Sequence, residues 1–237
     1  MNIVITGASK GIGYQLSKLF ASEENNTVIA IARSENLLKE LKNECIRQDL
    51  RSKLRTIVFD LENPNNVRNK LKNEILKYVN SVDILINNAG LLISKPFADT
   101  DIDDIQKMLN INLISHAILI QDLIPLLKES KLSHIVNISS MGGYQGSSKF
   151  SGLAFYSASK AALANLTECL AEEFKNDPIK VNCLALGSVN TEMLKLAFPD
   201  YKAPINAEEM AHFIYEFAIN GSTYFNGKII PVSSSTP

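Results

Sequence analysis

The sequence predicts an α/β protein: a doubly wound, parallel β-sheet of about seven strands with helices on both faces. Two observations carry this. Short β-branched runs recur that are apolar throughout rather than alternating, as strands covered on both faces are. Between them lie segments whose apolar residues fall at helical spacing. Strand–helix alternation with short connections implies parallel crossovers.

In chain order, strands are expected at 3–6, 27–32, 56–59, 82–86, 134–139, 180–185 and 228–232. The first helix rests on Tyr14, Leu16, Leu19 and Phe20. The second rests on Leu37, Leu38, Leu41 and Cys45, the third on Val67, Leu71, Ile75 and Tyr78. Two long helices are expected over about 102–129 and 155–174. The acids from Asp99 to Asp104 open the first of these, where carboxylates favour the helix dipole. Asn25–Asn26 and residues 63–66 are turn chemistry. No linker, repeat or low-complexity tract divides the 237 residues, so a single domain over 1–237 is expected.

Hydrophobic residues at 46% and charged residues at 21% exclude disorder. A net charge of −1, with Lys and Arg scattered, argues against a nucleic-acid partner. The stretch 113–127 is apolar but holds His116, Gln121, Asp122 and Pro125, against a membrane span. No basic region or cleavage site of a signal peptide opens the chain. Cys45, Cys169 and Cys183 are scattered, as buried thiols in a reducing compartment are. His116, His134 and His212 have no metal-ligand spacing, so no metal is expected. These signs fit a soluble cytoplasmic protein.

The first strand ends in Thr6-Gly7-Ala8-Ser9-Lys10-Gly11-Ile12-Gly13. A strand, a glycine turn and a helix N-terminus make an anion site: free N–H groups and the helix dipole face a phosphate, and missing Cβ atoms let it approach. The spacing is Gly-x-x-x-Gly-x-Gly, not Gly-x-Gly-x-x-Gly. Gly7 to Gly11 also matches the Gly-x-Ser-x-Gly elbow of serine hydrolases. Only one strand precedes Ser9, however, and His212 would have to be the late histidine.

A second constellation is Tyr156 and Lys160, four apart and therefore on one helix face. An ammonium beside a phenol stabilises phenolate and lowers the tyrosine pKa, which makes an acid–base device. Upstream, Asn137-Ile138-Ser139-Ser140 ends a buried strand in hydroxyls. In a parallel sheet the C-terminal strand ends carry the site. An acidic residue that binds a ribose 2′-hydroxyl belongs roughly 20 residues beyond the glycine turn. Arg33 stands there instead, followed by Ser34. A guanidinium grips a 2′-phosphate, and Lys10 offers a second cation. Glu35 is the competing ribose ligand.

The glycine turn, Asn87-Asn88-Ala89-Gly90, Ser140 and Tyr156-x-x-x-Lys160 occur in the order of the short-chain dehydrogenase/reductase family, which the sequence resembles over nearly its whole length. The resemblance implies a Rossmann-type fold and a Ser-Tyr-Lys-Asn site. Tyr156 would be the acid in reduction, Lys160 would lower its pKa and hold the nicotinamide ribose, and Ser140 would bind the substrate oxygen in preference to Ser139. Asn112 would position a water near the lysine, with Asn110 its competitor. Gly7, Ser9, Lys10, Gly11, Ile12 and Gly13 would hold the cofactor phosphates, with Arg33 and Ser34 at the 2′-phosphate. Asp60 and Leu61 would lie near the adenine, Asn87, Ala89 and Gly90 would line the cofactor and brace the sheet, and Val189 and Thr191 would meet the nicotinamide.

Three departures stand out. The gap from Ser140 to Tyr156 is longer than the family pattern, with residues 145–150 as extra rim. Leu186-Gly187 replaces Pro-Gly. The tail after Pro231 lacks a glycine pair. The expected function is an NADP(H)-dependent oxidoreductase that exchanges hydride with the carbonyl or alcohol of a small, partly apolar substrate. Leu91, Leu92, Ile93, Met141, Phe150, Leu186 and Leu194 would surround that substrate. The alternatives are a catalytically silent dinucleotide-binding redox sensor or scaffold and, less favoured, the Ser9 hydrolase. A homodimer or homotetramer is expected, because Leu109, Leu113, Ile120, Ala161, Leu166 and Leu170 exceed one sheet-facing stripe.

Overall fold

Residues 1–48, 53–131 and 133–234 are described in a computed structural model. From the N-terminus, β1 (Asn2–Thr6) leads through α1 (Gly11–Ala21) to β2 (Thr27–Ala32), and through α2 (Glu35–Arg47) to β3 (Lys53–Val58). Then come α3 (Pro64–Asn66), a wide π turn (Val67–Leu71), α4 (Lys72–Leu76) and β4 (Ile84–Asn87). Next are α5 (Ile102–Leu109), a second π turn (Asn110–Ile114), α6 (Ser115–Lys128) and β5 (Ser133–Ser140). After α7 (Ala154–Glu173) follow β6 (Ile179–Leu186), β7 (Val189–Asn190), α8 (Glu192–Ala197), β8 (Ile205–Asn206), α9 (Ala207–Asn220) and β9 (Ile229–Val232).

Seven of these strands form one parallel sheet in the order β3-β2-β1-β4-β5-β6-β9; β7 and β8 pair separately. The chain runs outward from β1 in one direction and then returns to build the other half beside it. That reversal opens a crevice beyond the C-terminal ends of β1 and β4. Alternate strand residues feed two cores. Ile3, Ile5, Val28 and Ala30 pack with α1, α2 and α9 through Leu16, Phe20, Leu41 and Ile214. Val4, Ile29 and Ile31 pack on the opposite face with Leu71, Ile75, Leu119 and Leu123. Both sides of the inner strands are therefore apolar, the pattern by which the sequence marked them.

The outer strands differ, because helices cover them incompletely. Lys53, Arg55 and Val58 of β3 are exposed, and Phe59 lies past the strand. The third helical segment stops at Leu76. Tyr78 lies beyond it, 42% exposed, near the Arg55 guanidinium. Asp101 caps α5, accepting from the Asp104 backbone N–H at 2.8 Å, so the acids do open that helix. The run Ile102–Lys128 is long and apolar enough to cross a membrane, but half of its apolar window is buried in the protein. Ile120, expected on the outer face, is buried in the core. The π turn ahead of it changes the rotation per residue, so a stripe counted at constant helical pitch loses phase. The tail from Pro231 to Val232 pairs with β6; Ser235 to Pro237 lie outside the described residues.

Two histidines are buried in the sheet layers. His134 Nδ1 donates to the Ala218 carbonyl at 2.9 Å, and its Nε2 lies 3.0 Å from the Asn182 amide nitrogen, from which it accepts. His116 Nε2 bonds the Ala89 carbonyl at 2.9 Å. Burial pushes both down to about 4, and the Lys160 charge adds to this at His116. Both are neutral at pH 7. The unfolded chain, with ordinary histidines near 6.5, binds more protons between pH 6.5 and 4. Stability is therefore fully present above pH 6.5 and is lost as pH falls towards 4, by about 3 kcal/mol for each histidine. Urea midpoints across this range are expected to be level above pH 6.5 and to drop steadily below it. A flat profile down to pH 4.5 would show that neither ring is held neutral by the fold.

Candidate active site

The crevice begins at the glycine turn. Gly7 and Gly11 have φ of 70° and 58°, a region that side chains disfavour. A Cβ at Gly7 would stand 2.8 Å from Ala89 Cα, so β1 and the segment after β4 touch through it. A Cβ at Gly13 would meet the Gly7 carbonyl oxygen at 2.3 Å. Gly13 thus lies beneath the turn and does not line the crevice. Thr6 Oγ1 accepts from the Asn88 and Ala89 backbone N–H groups, each at 3.0 Å, and the Asn88 amide donates to the Thr6 and Gly7 carbonyls. Lys10 is the N-cap of α1 but gives no side-chain cap, and the first turn holds no acid. The N–H groups at that end are left to an anion.

The crevice is a cleft of about 650 Å³. Gly7, Ser9, Lys10, Gly11 and Ile12 form one wall, with Arg33, Asp60 and Leu61 at the same end. Ala89 and Gly90 form the floor. Ser140, Tyr156 and Lys160 line the other half; Val189 and Thr191 also line the cleft, the Thr191 methyl 3.7 Å from where a Cβ on Gly11 would stand. The predicted residues therefore converge, with Gly13, Ser34, Asn87 and Asn112 set behind the lining. Ile93, expected beside the substrate, also lies off it. Ser34 caps α2, accepting from the Leu37 N–H at 3.5 Å. Glu35 is exposed, pairs with Lys39 at 2.8 Å and is not part of the cleft lining. Arg33 is exposed and has no ion pair among the described residues. Lys10 pairs across the cleft mouth with Glu192 of α8. Asp60 Oδ1 accepts from the Glu62 N–H at 2.9 Å, and the Leu61 carbonyl accepts from Ser115 at 2.6 Å.

The other half is built from the end of β5 and from α7. Ser139 faces the helix and donates to the Lys160 carbonyl at 2.8 Å, whereas Ser140 faces the cleft and accepts from the Gly142 N–H at 3.1 Å. The Lys160 ammonium is buried and donates to the Ile138 carbonyl at 2.9 Å. Burial lowers it to about 8; the Cys183 thiol beside it acts the other way and is itself pushed up to about 11 by burial. The Tyr156 phenol is raised by burial and eased down by its hydrogen bond with Ser140. Tyr156 and Lys160 share a face as the spacing implied. The lysine, however, turns its charge to the β5 carbonyl, and Ser140 is the group that acts on the phenol.

Asn112 sits at the π turn, fully buried. It accepts from the Leu91 N–H at 2.7 Å and donates to the Leu91 carbonyl and the Ser159 hydroxyl, both at 2.9 Å. Opening the helix there aims Asn112, and not Asn110, at the floor of the cleft. Asn87 is also buried and donates to Asn137 at 2.8 Å, so it braces the sheet without touching the cleft. Ser9 lines the cleft, but no histidine does: His212 is exposed on α9 and the other two are committed in the core. The hydrolase reading therefore lacks its base.

A sequence model of the short chain dehydrogenase family matches residues 1–202, and the chain belongs to that family. It is similar to a 3-oxoacyl-[acyl-carrier-protein] reductase of Chlamydia trachomatis, 26% identical over 97% of this chain and 94% of the relative. An oxidoreductase of Staphylococcus epidermidis is 28% identical over 80% of this chain and 78% of its own. Among solved structures, a short chain dehydrogenase of Shigella flexneri complexed with NADP has a TM-score of 0.87 at 27% identity, covering 97% of this chain and 95% of that one. One from Burkholderia cenocepacia in complex with NADP has a TM-score of 0.85 at 25% identity, covering 98% and 96%. The chain is thus a Rossmann-fold oxidoreductase of this family.

The sequence did not single out Ile138, Ser159 or Glu192 as parts of the site. A backbone carbonyl has no sequence signature, and Glu192 meets Lys10 across 182 positions. Gly142 and Gly143 follow β5 directly. A Cβ at Gly143 would lie 2.5 Å from the Ala161 nitrogen and 2.8 Å from the Lys160 carbonyl carbon, so this glycine sets how closely α7 approaches. Gly143→Ala is expected to destabilise the protein by about 1–3 kcal/mol through overpacking against backbone. Gln145→Ala, on the exposed rim, is expected to change stability by less than about 0.5 kcal/mol. Urea unfolding of both checks this.

Proposed function

We propose that the protein is an NADP(H)-dependent oxidoreductase that interconverts a carbonyl and an alcohol on a small, partly apolar substrate. The observation that carries this reading is one cleft that joins an uncapped glycine-turn anion site to the hydroxyls of Ser140 and Tyr156 above a buried lysine. A dinucleotide fits the residues present: the glycine cradle takes the phosphates, Arg33 the 2′-phosphate, and Lys160 and Thr191 the nicotinamide half. Bound there, the nicotinamide supplies or accepts hydride. Tyr156 donates its proton to the carbonyl oxygen in reduction, and Ser140 hydrogen-bonds the same oxygen as charge develops. Burial keeps the phenol protonated, the form that donation requires. Lys160, at about 8, is mostly cationic at neutral pH and keeps a buried positive charge on the helix that carries Tyr156. The NADP carried by two solved relatives supports the cofactor choice.

A silent dinucleotide-binding sensor is the second reading; the convergence of Ser140, Tyr156 and Lys160 on the cleft speaks against it. We further propose a homodimer or homotetramer through the outer faces of α5–α6 and α7. There Leu109, Leu113, Ala161 and Leu166 remain half-buried and Ile114 is 39% exposed, whereas Leu170, like Ile120, packs against the core. A monomer mass by light scattering at micromolar concentration would refute that assembly.

Tyr156→Phe is expected to lower kcat by about 10²–10⁴-fold, the range for a lost general acid, with NADPH affinity nearly unchanged. Near-normal kcat in a verified sample would overturn the mechanism, and NADPH binding without turnover of any carbonyl in the wild type would favour the sensor. Arg33→Ala is expected to lower the NADPH-over-NADH ratio of kcat/KM by about 10–100-fold, as loss of a hydrogen bond to a charged group does. A wild-type ratio at or below one would defeat the assignment.

A further inference from the structure

We infer that Phe150 and Phe198 form the closing wall of the substrate subsite, and that the substrate is an uncharged, apolar carbonyl compound. The inference rests on the oxidoreductase reading above. The two rings meet edge to face, with centroids 5.1 Å apart and planes at 75°, and both line the cleft. They arrive from opposite sides: Phe150 from the long rim between β5 and α7, Phe198 from the end of α8.

Each ring is held by its own segment. On the rim, Lys149 folds back, donating to the Tyr144 carbonyl at 2.7 Å and to the Ser147 hydroxyl at 2.8 Å. The Gly152 carbonyl accepts from the Lys95 N–H at 3.1 Å, and the Leu153 N–H reaches the Phe150 carbonyl at 3.3 Å. The lysine charge is spent within the rim and lies off the cleft. Across from it, the Phe198 N–H donates to the Leu194 carbonyl at 2.8 Å, and the Tyr201 hydroxyl lies 3.2 Å from the Ser188 hydroxyl. The rings are therefore presented by ordered backbone on both sides, and ordering costs little when substrate enters.

The distribution of charge supplies the chemical class. Leu194 and Ala197 of α8 and Phe198 just past its end line the cleft, as do Met193 and Lys195. Glu192 pairs with Lys10 of the glycine turn, and Lys195, which also lines the cleft, lies near enough to Glu192 to lower its carboxyl, so both charges of α8 are drawn towards the glycine turn. Arg33 and Asp60 lie at the ends of β2 and β3, also on that side. Besides Ser140 and Tyr156, the cleft lining holds the apolar side chains of Leu92, Met141, Leu153 and Leu194 and the two rings. Lys160 is committed to the Ile138 carbonyl. A substrate carboxylate or phosphate in this half would be desolvated with no cation to meet it. An apolar chain or ring would instead bury its surface there while the two hydroxyls take the carbonyl oxygen. In reduction the carbonyl carbon accepts hydride from C4 of the reduced nicotinamide and the oxygen accepts the Tyr156 proton. The products are the alcohol and the oxidised cofactor, and solvent reprotonates the phenolate.

The test uses the full chain with NADPH and three probes: 2-heptanone, its charged counterpart 6-oxoheptanoate, and the bulkier 2-acetylnaphthalene. The wild type is expected to favour 2-heptanone over 6-oxoheptanoate at least about tenfold in kcat/KM. Phe150→Ala and Phe198→Ala are each expected to lower kcat/KM for 2-heptanone about tenfold. They should raise the 2-acetylnaphthalene-to-2-heptanone ratio several-fold, with NADPH affinity by fluorescence unchanged. Phe198→Leu keeps an apolar side chain and should move the same ratio in the same direction by less. A merely structural role would lower all three probes and NADPH affinity together, which overturns the inference. A wild type that prefers 6-oxoheptanoate, or a ratio unmoved in every variant while the probes still turn over, overturns it and leaves the oxidoreductase reading intact. NADPH binding with no oxidation by any carbonyl overturns both.

Discussion

Holding the Lys160 ammonium in the interior is the constraint around which the rest of the site is arranged. A bare cation there would cost several kcal/mol and would give up its proton. The Ile138 carbonyl accepts one of its hydrogens, and the residual penalty appears as the fall to about 8. That carbonyl is available because β5 is ending: the strand pairs with β6 as far as Ser140, and α7 crosses over the same point. Ser139 then fixes the helix by bonding the Lys160 carbonyl, and Gly143 lets the helix backbone come close enough for both contacts. Lysine, strand end, serine and glycine are one arrangement, and changing one member alters what the others do.

The dinucleotide half is governed by backbone approach. Gly7 touches Ala89, Gly13 sits against the Gly7 carbonyl, and the Thr6 hydroxyl collects two N–H groups from the segment after β4. These contacts join β1 and β4 where the strand order reverses, so the topology opens the crevice and small residues keep it open. The Asn112 amide does the same work on the far side by pinning Leu91 to the wide turn between α5 and α6.

Inner strands were legible because burial on both faces forces apolar runs, and the glycine turn because positive φ and close approach permit few residues. Tyr156, Lys160 and Ser140 were legible as a set, since each stands at the end of a recognisable element. What escaped has a physical reason in each case. The π turn at Asn110–Ile114 has no compositional mark, and it misdirected Ile120 to the outer face. Ser34 carries a hydroxyl that suits a helix cap and a ligand contact equally well, and the fold uses it as the cap. The Lys10–Glu192 pair and the Phe150–Phe198 contact join segments far apart in sequence, so only the folded chain brings them together.

The eight-residue register between β5 and β6 has a consequence for how such a protein can change over generations. Ser140, the carbonyl that steadies Lys160 and the thiol beside it all hang on this ladder, whose rungs are backbone bonds indifferent to side-chain identity. The rim before α7 and the segment after α8 hang outside it, each tied by a handful of local contacts. Residues of those margins that lie clear of Gly143 can be replaced without breaking a rung of that ladder. Selection can therefore work on what is recognised while the chemistry is inherited unchanged, a division of labour written into which strands are central and which loops are free.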